Sequence, residues 1–159
     1  MSSLLQIILF GVGLLATSAV FALLEIQIEG DAGWAARLPT WRYQSRWTRR
    51  ILGARAVTGY HLYFQLFVLL LSHLPYVLGS ARPGVATELR ILAFILLLWV
   101  LEDFLWFVLN PAYGLRRFRR DAIWWHADSW WGFMPRDYWI FTPIAAAFLA
   151  ASWLLHGTS

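Results

Sequence analysis

The stretch ILAFILLLWVLEDFLWFVL (residues 91–109) decides the class of this protein. A helix that crosses a bilayer needs about 20 mostly apolar residues, so this run predicts a membrane-spanning helix. Its only charged side chains are two adjacent carboxylates, Glu102 and Asp103. A carboxylate inside a membrane is costly unless it is protonated, paired or turned toward a polar interior. The pair is therefore the first candidate for a functional site.

Three more runs of similar length contain no acidic residue and no arginine: residues 4–24, 57–78 and 138–155. The chain is 60% hydrophobic and 14% charged, whereas a soluble domain has about 25% charged residues. The first run lacks the basic start of a signal peptide, so we interpret it as a membrane helix. We therefore predict an all-α fold: one integral membrane domain over residues 1–159, built as a four-helix bundle.

The charge distribution predicts how the chain lies in the membrane. The cations are thirteen arginines, and eleven of them lie in the connections 25–56 and 110–137. Arginine-rich connections favour the cytoplasmic side, so we expect both connections to face the cytoplasm and both termini to face outward. Cysteine is absent, which excludes disulfides, thiolate metal sites, iron–sulfur clusters and covalently attached haem.

The two arginine-rich connections also carry many tryptophans, which concentrate where a membrane meets water. We expect amphipathic, aromatic segments on the cytoplasmic interface, including a short helix with Trp124 and Trp131 on one face. The run RRFRR (residues 116–120) is typical of an anchor on anionic lipid headgroups, and no nucleic-acid partner is expected. The arginines predicted to contact headgroups are Arg49, Arg50, Arg116, Arg117, Arg119 and Arg120.

Ionisable residues of three predicted spans fall at one depth, in the cytoplasmic half of the bundle. We expect Glu25, His61, Glu102 and Asp103 to form a polar cluster there, with His126 reaching it from the third connection. Glu102, Asp103 and His126 are the candidate catalytic residues. Carboxylate and imidazole groups from different helices suit iron, manganese or zinc. Glu25, His61, Glu102 and His126 are therefore candidate ligands of a divalent metal.

Two other interpretations of the carboxylates remain open. In the first, Glu102 or Asp103 is structural, either paired with Arg50 or Arg55 or protonated and hydrogen-bonded. In the second, the carboxylates belong to a proton or ion path. No continuous acidic chain crosses the outer half of the predicted bundle, which weighs against a path.

Five stretches have a recognisable character: EIQIEG (25–30), GWAARLPTWR (33–42), TGYH (58–61), EDFLWFVLNPAYG (102–114) and WWH (124–126). Together they resemble small multi-pass bacterial inner-membrane proteins of unassigned function. The resemblance covers most of the chain. It implies a multi-pass protein of the bacterial inner membrane, and it implies no activity.

These features favour two functions. One is a membrane enzyme with a cytoplasm-facing site, assisted by a metal and acting on a lipid or another hydrophobic substrate. The alternative is a non-catalytic membrane subunit that binds lipid, a partner protein or a second copy of the chain. A lesser alternative is a protein that binds haem non-covalently, with His61 and His126 on one haem and His73 and His156 on another.

Overall fold

The computed structural model describes residues 3–157, with the side chains of residues 4–155. Its helices are α1 (Ser3–Glu29), α2 (Arg46–Leu52), α3 (Gly59–Ser72), α4 (Leu74–Val77), α5 (Val85–Leu109) and α6 (Arg136–Gly157). Two antiparallel pairs of short strands accompany them, β1 (Arg42–Tyr43) with β2 (Val57–Thr58), and β3 (Trp130–Trp131) with β4 (Met134–Pro135). Single 3₁₀ turns lie at Leu115–Arg117 and Ala127–Ser129.

Within the described part of the chain, α1, α5 and α6 are the helices long and apolar enough to cross a membrane. Large apolar side chains cover their outer surfaces, such as those of Val12 and Val20 on α1 and Leu154 on α6. Contact with water would make this surface unfavourable, whereas lipid tails accommodate it. The prediction of a mostly helical protein with helices able to cross a membrane is confirmed.

The four-helix membrane bundle is not confirmed, because the predicted span 57–78 divides into α3 and α4. With 14 residues, α3 extends about 21 Å, short of the roughly 30 Å of a hydrocarbon core. It begins at Gly59 because the Thr58 side chain caps the helix by accepting from the His61 N–H. It ends before Pro75, which has no N–H to donate to the carbonyl of Leu71 and which lies in the first turn of α4 instead.

The central helix is α5, which packs against α1 and α6. Ala93 of α5 and Ala145 of α6 are fully buried, and side chains this small let helix backbones approach closely. Val68 of α3 packs with Ile95 and Leu98 of α5 in a separate apolar cluster. Helices α1, α3 and α6 are thus arranged around α5.

The first and third connections meet on one face of the molecule, which we call the loop face (residues 30–58 and 110–135). The Asn110 side-chain amide at the end of α5 donates to the carbonyl of Gly30 at the end of α1, 2.8 Å away. The Tyr113 hydroxyl donates to the carbonyl of Asp31 at 3.0 Å. Burial and the nearby Asp31 charge raise the pKa of Tyr113, so this phenol keeps the proton that it donates.

Aromatic rings form the core of the loop face. Phe107 of α5 stacks on Trp125 with ring centroids 5.7 Å apart, and Trp106 meets the same indole edge-on. The short interfacial helix predicted to carry Trp124 and Trp131 is absent from this described segment. Turns and the β3–β4 hairpin replace it, and Gly132 turns the chain there with a φ of 58°.

Candidate functional site

A cavity of about 440 Å³ lies between α1, α3, α5 and α6 where they meet the loop face. Part of its wall is apolar, with Phe21, Phe64 and Val68 among the lining residues. The rest is ionisable or polar: Glu25, Glu29, Arg55, His61, Gln65, Glu102, Asp103, His126, Arg136, Asp137 and Tyr138. This wall includes all five residues of the polar cluster expected from the sequence, so the structure brings that cluster together.

Glu25 of α1 and Glu102 of α5 face each other as a hydrogen-bonded pair of carboxyl groups. Both are buried, with Glu102 only 7% exposed. Two carboxyl groups make such a bond only when one of them holds a proton, because a carboxylate has no donor. Oε1 of Glu102 has no hydrogen-bond partner among the described residues. The Tyr60 hydroxyl donates to Oε1 of Glu25 at 3.2 Å.

Asp103 presents its carboxylate to the cavity. Its Oδ2 accepts a hydrogen bond from the Tyr138 hydroxyl at 2.5 Å and lies 3.2 Å from Nε2 of His126. The Asp103 side chain is 29% exposed, against 4% for that of Glu29. Asp103 is therefore held firmly by α6 and the third connection while part of its surface remains available to a ligand.

His126 stands over Asp103, as expected from the aromatic third connection. Its Nε2 faces the carboxylate, while its Nδ1 is buried and has no hydrogen-bond partner in the described chain. A carboxylate beside Nε2 favours the tautomer with its proton there, which leaves a lone pair on Nδ1. Asp103 thus fixes the orientation of the imidazole, with a nitrogen lone pair buried on its other side.

His61 has other partners. Its Nδ1 lies 2.7 Å from Oγ1 of Thr58, and its Nε2 lies 3.6 Å from Oε1 of Glu29. The imidazole also stacks on the indole of Trp34, with ring centroids 4.1 Å apart. The side chain is fixed at the first turn of α3, on the wall of the cavity.

Glu29 was not among the predicted site residues, and it organises the start of the loop face. Its Oε1 accepts the Ala35 N–H at 2.5 Å. Gly33, Trp34 and Ala35 have consecutive φ values of 63°, 47° and 50°, so the backbone makes a left-handed turn. Such backbone costs a non-glycine residue about 1–2 kcal/mol, and the bond to the carboxylate offsets part of that cost.

A buried ion pair crosses the mouth of the cavity from the first connection to α6. Nη2 of Arg55 lies 2.5 Å from Oδ2 of Asp137, with the two side chains 6% and 20% exposed. The guanidinium also lies over the ring of Trp34, 5.1 Å from its centroid. The expectation that Arg55 could pair with Glu102 or Asp103 is therefore wrong, because Asp137 occupies it.

The metal interpretation is also wrong. Among the described residues, no group of three or more histidine and acidic side chains has the arrangement of a metal site. The proposed ligands Glu25, His61, Glu102 and His126 line one cavity, but their donor atoms point at separate partners. Nε2 of His126 is directed at Asp103, Nδ1 of His61 at Thr58, and Glu25 at Glu102 and Tyr60. Donor atoms that do not converge cannot share a first coordination shell.

The haem interpretation stays a prediction. The rings of His61 and His126 are engaged with different neighbours, Trp34 and Asp103. In the second proposed pair, His73 contacts Glu88 at 3.2 Å, and the side chain of His156 lies outside the described residues.

The arginines predicted to contact headgroups are exposed on the loop face, and none is among the described residues that line the cavity. Arg119 pairs with Asp121, and Arg117 and Arg120 donate to the carbonyls of Ala112 and Ala127. Their guanidinium groups are placed at the surface, as headgroup contact requires. Binding of lipid by Arg49, Arg50, Arg116, Arg117, Arg119 and Arg120 stays a prediction.

An apolar groove of about 540 Å³ adjoins the cavity between α1, α3 and α5. Phe21, Phe64 and Val68 line both spaces. The groove continues toward the opposite end of the molecule along Leu71, Phe94 and other apolar side chains. The two spaces together make an amphipathic site, polar near the loop face and apolar within the membrane.

Comparison of this chain with protein-family models, with curated proteins and with solved structures finds no match.

Proposed function

We propose that this protein binds a lipid-like molecule in the cavity and performs acid–base chemistry on the polar end of that molecule. The observation that carries the proposal is that the polar cavity and the apolar groove adjoin and share the side chains of Phe21, Phe64 and Val68. An amphiphile can place its polar end among the carboxyl and imidazole groups and its apolar part along the groove. The cavity volume falls within the roughly 300–1,000 Å³ of small-molecule sites.

Proton transfer is the chemistry that the lining residues favour. The Glu25–Glu102 pair holds a proton, and Asp103 offers a carboxylate that is partly open to the same cavity. An acid and a base within reach of one ligand are what general acid–base catalysis requires. Orientation of His126 by Asp103 supplies a second group able to move a proton.

Mass spectrometry of organic extracts from the purified protein tests the binding. Wild-type protein is expected to carry an amphiphilic molecule at near-stoichiometric occupancy. The Gln65→Trp variant, which fills the cavity from an exposed position on α3, should lose that molecule. Gln27→Trp places the same ring on the exposed surface of α1 and should keep it. Equal occupancy in both variants would contradict binding in the cavity.

The Asp103→Asn variant separates catalysis from binding. Lipid extracts of cells that express the wild-type protein should contain a product that is missing when Asp103→Asn is expressed at the same level. A ligand retained by the purified variant would show that the cavity still forms. If the two strains have identical lipid profiles and both purified proteins carry the ligand, the protein binds this molecule but does not catalyse a reaction on it.

Exposed aromatic side chains on the loop face favour a second candidate, a non-catalytic subunit that docks on lipid or a partner protein. Trp47 is 73% exposed and Phe133 71%, and Trp41 and Trp131 lie on the same face. Rings of this kind suit both membrane interfaces and protein partners. Cross-linking of intact membranes distinguishes this function, because a docking subunit would be captured with a defined partner or with a second copy of itself.

A further inference from the structure

We infer that the polar end of the molecule bound in this cavity is a cation, and that its entry releases the proton shared by Glu25 and Glu102. This inference rests on the proposed function and names the ligand class for the same cavity. Release of a proton on entry of a cation makes the site a proton-for-cation exchanger.

The cavity is acidic on balance. Five acidic side chains line it, while the arginines of the described lining are Arg55 and Arg136. Both arginines are already engaged. Arg55 binds Asp137 at 2.5 Å and the carbonyl of Leu52, and Arg136 binds Asp137 at 3.2 Å and the carbonyl of Ile51. An anionic ligand would therefore meet carboxyl groups without an available guanidinium, whereas a cation would meet an excess of negative charge.

Glu102 supplies a vacant acceptor in the wall of this acidic cavity. It is more than nine-tenths buried, and its Oε1 has no hydrogen-bond partner in the described chain. A buried carboxylate in that state is unfavourable unless a cation or a donor approaches it. Indole rings of Trp99 and Trp106 line the same space, and the face of an indole attracts a cation.

Every element packed around the Glu25–Glu102 pair contributes titratable or charged groups to its surroundings. They are Glu29 of α1, Tyr60 and His61 of α3, Asp103 of α5, Arg136, Asp137 and Tyr138 of α6, and Arg55 and His126 of the two connections. Asp137 neutralises one arginine charge, which leaves four carboxyl groups against one guanidinium. The proton shared by Glu25 and Glu102 thus reduces the net negative charge of the cavity before a ligand enters.

An entering cation makes that proton redundant. Beside Glu102 the cation cancels one negative charge, as the proton did, and the two positive charges repel each other. The carboxyl proton then leaves for the solvent, so that one positive charge replaces another and the net charge of the cavity stays constant. A cation beside Glu102 also lowers the affinity of that carboxyl group for its proton, which favours release of the proton.

The test uses two hydrophobic ions of matched shape and opposite charge, tetraphenylphosphonium and tetraphenylborate. The protein is placed in lipid nanodiscs, and calorimetric titration in two buffers of different ionisation enthalpy counts the protons released. Specific binding is the part that Gln65→Trp removes, which cancels partition into the lipid. We expect tetraphenylphosphonium to bind at least about tenfold more tightly than tetraphenylborate, with close to one proton released. Its affinity should fall as the pH falls, because protons compete for the same carboxyl groups.

Two glutamates on α5, Glu102 and Glu88, provide matched variants when each is replaced by glutamine. Glu102→Gln should abolish proton release and weaken tetraphenylphosphonium binding at least about tenfold. Glu88 lies on the same helix, and its carboxyl group contacts His73 outside the cavity. Glu88→Gln should therefore change neither the proton release nor the affinity for tetraphenylphosphonium. Thermal unfolding of both variants checks that they fold. Proton release that persists in Glu102→Gln would overturn the inference.

The outcomes also separate this inference from the proposed function. Specific binding of tetraphenylborate as tight as that of tetraphenylphosphonium, or binding without proton release, overturns the cation exchange while the cavity remains an amphiphile site. If neither ion shows binding that Gln65→Trp removes, both the inference and the proposed function are wrong.

Discussion

Replacing Glu102 with leucine tests whether its carboxyl group holds the fold together. No arginine contacts Glu102 in the described chain, and its neighbour there is another acid, Glu25. Removal of one partner of a buried ion pair costs roughly 3–5 kcal/mol, but here no cation would be left behind. We expect Glu102→Leu to fold, with a free energy of unfolding unchanged or raised by about 1–3 kcal/mol. Thermal unfolding in detergent measures this, and aggregation of the variant would contradict it.

Asp137→Asn should have the opposite effect on stability. Arg55 is buried against Asp137, and asparagine would leave its charge without a counter-ion. We expect a loss of about 3–5 kcal/mol, seen as a lower unfolding temperature in the same assay. Asp121→Asn is the control, because its partner Arg119 is solvent-exposed and such pairs contribute about 0–1 kcal/mol. Equal unfolding temperatures for the two variants would show that the Arg55 pair is not structural.

At the scale of residues, the common level of the ionisable side chains along their helices could be predicted, and the partner of each side chain could not. Helix boundaries and charge placed Glu25, His61 and Glu102 at one level, where the structure brings them to one cavity. The Arg55–Asp137 pair joins residues 82 positions apart, and no periodicity links them. Metal ligation failed as a prediction for the same reason: the residue types were suitable, but donor directions depend on neighbours that sequence spacing does not specify.

Alanine substitutions at two glycines of the first connection separate two energetic costs, that of a positive φ and that of a steric clash. Gly30 and Gly33 have almost equal φ values, 64° and 63°. A Cβ at Gly30 would meet nothing within 4 Å, whereas one at Gly33 would lie 2.4 Å from the ring of Trp125. We expect Gly30→Ala to cost about 1 kcal/mol and Gly33→Ala about 3 kcal/mol or more, because only the second moves the indole.

Tryptic digestion tests whether the turn at residues 33–35 holds the first connection in place. Arg37 is exposed just beyond the turn, and release of the connection from Trp125 should speed cleavage there. Cleavage is expected to be faster in Gly33→Ala than in Gly30→Ala at a temperature where the helices of both remain folded. Identical cleavage rates would indicate that the Gly33–Trp125 contact does not hold the connection in place.

Elements with a strong hydropathy signal were predictable, and short ones were not. The apolar runs at 4–24, 91–109 and 138–155 lie within α1, α5 and α6, because length and composition alone suffice to predict such helices. Pro75 marks the end of α3 in the sequence. A hydropathy average over about 20 residues does not detect a single proline, so the run 57–78 was predicted as one helix. The β3–β4 hairpin replaced an expected interfacial helix because tryptophan spacing at seven residues does not outweigh a turn at Gly132.

At the scale of the whole molecule, contacts show that the two arginine-rich connections share a face. Asn110 bonds to Gly30 and Tyr113 to Asp31, so this arrangement does not depend on how many helices cross the membrane. At the other end, His73 after α3 meets Glu88 near the start of α5. The chain between α1 and α5 therefore returns along the length of the bundle even though α3 alone is too short to span it.

Cysteine labelling tests the proposal that the loop face is cytoplasmic and the termini lie outside, in a bacterial inner membrane. The chain has no cysteine, so single cysteines report without background. Ala36 is exposed on the loop face, and Ser80 is exposed in the link before α5; Ser45 is less suitable because its side chain caps α2. A membrane-impermeant maleimide added to intact spheroplasts should label Ser80→Cys and leave Ala36→Cys unmodified, because eleven of the thirteen arginines bias their connections inward. Permeabilised membranes should label both. Labelling of Ala36→Cys alone in intact spheroplasts would mean that the cavity opens toward the outside, and that the positive-inside rule fails for this chain.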